Sequence, residues 1–184
     1  DEVETVREEA KRLVEESRKE SRRVEEELKK LLRRVEEEAR KVKEELEKSV
    51  DEVRKAVTDK DAKDILKTLE DASRDHMRKL DEIIKRLKEI VEEVKRRLKK
   101  LNDELEKVVR DVERTLDDLK KKGGIREEIK KILERVREVV KRSKDEIREI
   151  LKEVRKMIDK VRKEIKEILD HNKEVVRKIK EETK

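Results

Sequence analysis

Residues 6–21 read VREEAKRLVEESRKES, residues 24–39 read VEEELKKLLRRVEEEA, and residues 42–57 read VKEELEKSVDEVRKAV. Aligned eighteen apart, they place apolar or small side chains in the same six columns. The first column holds Val6, Val24 and Val42, and the second Ala10, Leu28 and Leu46. Leu13, Leu31 and Ser49 follow, then Val14, Leu32 and Val50. Ser17, Val35 and Val53 come next, and Ser21, Ala39 and Val57 close the set. Eighteen residues in five turns is 3.6 residues per turn, the period of a straight α-helix. A heptad would wind left-handed and an eleven-residue period right-handed. The expectation is a helix with almost no supercoil.

The same period runs through the rest of the chain with two changes of phase. Ala62, Leu80, Leu98 and Leu116 form one column, Ile65, Ile83, Leu101 and Leu119 another, and Leu69, Leu87 and Leu105 a third. Farther on, Ile129, Ile147 and Ile165 repeat it, with Leu133, Leu151 and Leu169 beside them. Continuing the first phase would put Lys60, Asp64 and Lys67 in the stripe, so the first helix stops near residue 57. Thr58 as N-cap, with Asp61 three residues on, supplies a restart. The second break is KKKGGIREE, residues 120–128. There Lys120 to Lys122 suit the negative end of a helix dipole and Gly123 suits a left-handed C′ position. Glu127 and Glu128 suit the next N-terminus.

Three helices follow, at about 2–57, 59–121 and 125–182, within a single domain covering 1–184. Each is roughly 85 to 90 Å long at about 1.5 Å rise per residue. Short connections make neighbours antiparallel, giving an all-α, up-down-up three-helix bundle. Each stripe is wide enough for two neighbours, so a monomer hides its apolar surface without a partner.

Composition excludes several classes of function. Of 184 residues, 60% are charged, none is aromatic, and Cys and Pro are absent, so disulfides, thiolate metal sites and cysteine nucleophiles drop out. No apolar run exceeds two residues, which rules out a membrane-spanning helix. The net charge is +6, but acids and bases alternate throughout. That pattern suits solvated faces with i,i+4 ion pairs rather than a concentrated nucleic-acid surface. A lipid-surface protein would favour bulky aromatic anchors, whereas this stripe is Ile, Leu and Val.

A few polar residues interrupt the stripe. Ser73 shares a column with Val91 and Val109, and His76 with Val94 and Val112. Asn102 stands with Leu66 and Ile84, Asn172 with Val136 and Val154, and Ser143 with Val161 and Ile179. Folding the helices at the two breaks pairs residues of the first and second whose numbers total about 117 to 121, and of the second and third about 245. This gathers two polar layers. Ser17, Ser21, Asn102 and Ser143 form one, and Ser49, Ser73, His76 and Asn172 the other. In a repetitive aliphatic core such layers select one register, because a slipped helix leaves buried amides and hydroxyls unpaired at about 1 to 3 kcal/mol each.

These layers are structural; no catalytic, cofactor or metal site is assigned. Two histidines without cysteine are an incomplete ligand set, and His171, in the column of Arg135 and Glu153, is expected at the surface. A serine nucleophile with His76 as base would need a cleft and an oxyanion hole that a bundle of this width does not offer. Met77 and Met157 are read as packing residues.

The VREEAKRLV, VEEELKKLL and VKEELEKSV repeats, with Gly confined to one connection, resemble de novo designed, parametrically generated antiparallel three-helix bundles with buried hydrogen-bond networks. The first connection departs from that style in having neither Gly nor Pro. The resemblance implies high stability, a monomeric rod and no natural activity. The expected role is a structural scaffold. The alternative is a switchable module that exchanges a terminal helix with a matching designed peptide.

Overall fold

A computed structural model describes residues 2–57, 62–123 and 126–182, the side chains of residues 62 and 182 excepted. It is a three-helix bundle with element order α1 (Glu2–Ala56), α2 (Ala62–Lys122) and α3 (Arg126–Glu182). Thr58 and Asp61, expected to cap the second helix, lie outside the described residues. So do residues 59–61, where that helix was expected to begin.

The ends of the helices follow from local chemistry. Acidic residues stand in the first turns, Glu2 and Glu4 in α1 and Glu127 and Glu128 in α3. Basic residues stand in the last turns, Arg54 and Lys55 in α1 and Lys120 to Lys122 in α2. Both complement the helix dipole. The Val57 amide donates to the Val53 carbonyl at 3.0 Å and closes the final turn of α1. Gly123 follows α2 with φ +71°, the left-handed conformation that terminates a helix at lowest cost when no Cβ is present.

The chain forms two compact units, each taking a stretch of all three helices. The first contains residues 1–28 and 91–154. Its core includes Val6, Ala10 and Val14 from α1, Leu105, Val112 and Leu116 from α2, and Ile129, Val136 and Val140 from α3. The second contains residues 29–90 and 155–184. Val50, Val53, Leu69, Val176 and Ile179 form one of its clusters.

Burial keeps the eighteen-residue period. Leu80, Leu98 and Leu116 are each 0% exposed, and Leu69, Leu87 and Leu105 are each 1% exposed. Removing one such leucine from water contributes about 1.5 to 3 kcal/mol. Met157 departs from the expectation: it is the exposed large hydrophobic side chain among the described residues. Its column, Val139 and Val175, is only half-buried, so it marks the rim of the stripe rather than the core.

Ion pairs record the pairing of the helices inside each unit. In the first unit Arg7 pairs with Asp117, Lys11 with Glu113 and Arg18 with Glu106. Each step along α1 is matched by an equal step back along α2, so these two helices are antiparallel. In the second unit Lys88 pairs with Glu36 and Arg54 with Glu70, so α1 and α2 are antiparallel there as well. The paired numbers total 124 in every case (7 with 117, 18 with 106, 54 with 70), a few residues above the expected 117 to 121. Pairs between α1 and α3 run parallel instead, with Arg137–Glu9, Lys144–Glu16 and Lys180–Glu52 all separated by 128.

Candidate functional site

The polar residues of the stripe are where this chain departs from repetition. How deeply each is buried follows its column. Ser17 shares its column with Val35 and Val53 and is 0% exposed; Asn172, in the column of Val136 and Val154, is 2% exposed. Ser21, Ser73, His76 and Ser143 are buried as well. Ser49 and Asn102 were expected inside but are only half-buried. The reason is positional. Leu13 and Leu31 in the Ser49 column, and Leu66 and Ile84 in the Asn102 column, are half-buried too, so these columns edge the stripe.

In the first unit the Ser17 and Ser143 hydroxyls meet at 3.2 Å, joining α1 to α3 through a buried contact. The expected four-residue layer does not close around them. Ser21 Oγ and Asn102 Oδ1 are buried without a protein partner. The offset between the observed and expected α1–α2 pairing carries Asn102 away from the level of Ser17 and towards that of Ser21, yet neither the Ser21 hydroxyl nor the Asn102 carbonyl gains a hydrogen bond there.

In the second unit the Asn172 Nδ2 group donates to Ser49 Oγ at 3.1 Å, and that hydroxyl donates to the Glu45 carbonyl at 2.8 Å. This bond also joins α1 to α3. Ser73 and His76, both on α2, were expected to complete the layer; His76 Nδ1 instead has no hydrogen-bond partner. Each of these two polar contacts, the first buried and the second part-buried, thus ties the first helix to the third, and α2 contributes to neither.

His76 finds a different neighbour. Its ring stands edge-to-face with that of His171, centroids 5.5 Å apart and planes at 83°. His171 is exposed, as its column implies, yet it leans over His76. The column treats each helix alone and cannot reveal this contact. A signal was available in its position beside Asn172, at the level of Ser73 and His76. Burial holds the His76 imidazole below its ordinary pKa, with His171 and Lys79 adding to the effect and Asp75 opposing it. The two rings line a shallow groove of about 340 Å³ between α2 and α3 with Lys79, Ile83, Glu167 and Ile168.

Among the described residues, no group of three or more His, Asp or Glu side chains is gathered closely enough to hold a metal ion. No described helix is long and apolar enough to cross a membrane. The chain matches no protein-family model, and neither the curated proteins nor the solved structures contain one significantly similar to it.

Proposed function

We propose that this chain is a designed structural scaffold with no natural biochemical activity, in which buried polar contacts hold the helices to one register. One observation carries the reading. Among the polar residues that interrupt the aliphatic stripes, Ser17–Ser143 in one unit and Ser49–Asn172 in the other join the same two helices.

The physical logic is discrimination rather than attraction. Aliphatic columns repeating every eighteen residues make near-equivalent contacts after a small slip. A slip of one turn that carried Ser143 from Ser17 towards Ser21 would still pair two hydroxyls. The same slip would carry Asn172 away from Ser49 towards Val53 and leave its amide unpaired, at about 1 to 3 kcal/mol. Two contacts reject what one would allow. The regularity of the columns and the absence of detectable relatives support a designed origin.

The test uses spin labels on Lys41→Cys and Lys163→Cys, exposed positions on α1 and α3. A single narrow distance distribution is expected, broadening when Ser17, Ser49, Ser143 and Asn172 are all replaced by Val. An equally narrow distribution in that variant would remove the register role. A labelled peptide spanning residues 126–182 should not enter the folded chain. Its incorporation would favour the helix-exchange module instead.

A further inference from the structure

The scaffold reading leaves one feature of the second unit unused. His76 and His171 come from different helices and line one groove, and the buried Nδ1 of His76 has no protein partner. With a metal–nitrogen bond of about 2.0 to 2.1 Å and an imidazole radius of about 1.2 Å, a bound ion lies about 3.2 Å from each ring centre. Two rings ligating one ion at right angles or wider then stand roughly 4.5 to 6.5 Å apart. The observed separation, 5.5 Å, falls inside that window.

We propose that His76 and His171 form a two-imidazole clamp across α2 and α3 for a single divalent transition ion, strongest for Cu(II). Imidazole suits copper, nickel and zinc, copper stands highest in the order of divalent affinities, and Cu(II) accepts a tetragonal mixture of nitrogen and oxygen ligands. Water fills the positions that the two rings leave open. The site is therefore open and exchangeable, unlike a closed four-ligand structural zinc site.

Two properties of the groove favour it. The edge-to-face packing requires one ring to turn, and the terminal torsion of histidine is broad. His171, being exposed, has room to do so. Finally, Glu82, Glu164 and Glu167 outnumber Lys79 and Arg86 along the groove, so a dication enters slightly negative surroundings.

Binding across two helices would staple α2 to α3 and raise stability by mass action, because the unfolded chain holds the two histidines far apart. The full chain is titrated with Cu(II) sulfate at neutral pH and followed by electron paramagnetic resonance and guanidinium unfolding. One equivalent should bind with two coupled nitrogens and a raised unfolding midpoint. His171→Ala alters only an exposed position. It should bind Cu(II) about tenfold more weakly or worse, with one coupled nitrogen and no midpoint rise. His76→Gln should behave likewise, and Mg(II) should move neither protein. Unchanged affinity in His171→Ala, the result expected of scattered surface carboxylates, would overturn the clamp. A spectrum without two coupled nitrogens in the unmodified chain would overturn it equally.

Discussion

Asn172 on α3 donates to Ser49 on α1 at 3.1 Å, while the Ser49 hydroxyl spends its own proton on the Glu45 carbonyl one turn back. The serine therefore accepts from the amide and donates to its own helix. The two partners do not depend equally on each other.

That asymmetry is measurable. Ser49→Ala leaves the buried Asn172 amide without its acceptor and should destabilise the chain by about 1 to 3 kcal/mol. Asn172→Leu removes the amide and leaves the Ser49 hydroxyl bonded to Glu45, so it should be close to neutral or stabilising. Chemical denaturation of both variants checks this. Equal losses in the two would contradict it.

Ser21 and Asn102 should show the opposite of a bonded polar group. Each has a buried oxygen without a protein partner, and Ser21 shares its column with Ala39. Ser21→Ala and Asn102→Leu should keep the fold and raise the free energy of unfolding, each by up to about 1 kcal/mol. Thermal melts of the two variants decide the matter, and a lower Tm in either counts against the assignment.

His76 should give the chain a modest sensitivity to acid. Its folded pKa lies below the ordinary value of 6.5, chiefly through burial. The unfolded chain therefore binds the extra proton. The stability contributed by the neutral ring is fully present above the unfolded pKa and is lost as pH falls through the folded one. His76→Val removes that dependence. The denaturant midpoint of the unmodified chain should fall as the pH drops below 6.5, while that of His76→Val should stay flatter; identical pH profiles would show that His76 is not the source.

Leu80, at 0% exposure, belongs to the deepest column of α2. Leu80→Ala should cost about 2 to 5 kcal/mol, from lost transfer energy and the cavity left behind. Arg162, by contrast, holds Glu38 through three hydrogen bonds at 2.7 to 3.1 Å in an exposed setting. Solvent and salt screen that pair. Arg162→Gln should cost less than about 1 kcal/mol, and the difference should shrink further in molar salt.

The sequence by itself determined the helices, their breaks and the inward face of each. The eighteen-residue columns follow from backbone geometry, which is local, so Ser17, Ser21, Ser73, His76, Ser143 and Asn172 could be placed in the core one helix at a time. Gly123 could be read as a helix terminator for the same reason. Even the half-burial of Ser49 and Asn102 was latent in their columns, at the edge of the stripe. Which polar group meets which was decided only by the tertiary structure. A core that repeats every eighteen residues scarcely distinguishes one axial offset from another, and a shift of a few residues between α1 and α2 separates Asn102 from Ser17. The approach of His171 to His76 has the same origin: it depends on how two helices lie against each other, a quantity that no single-helix period contains.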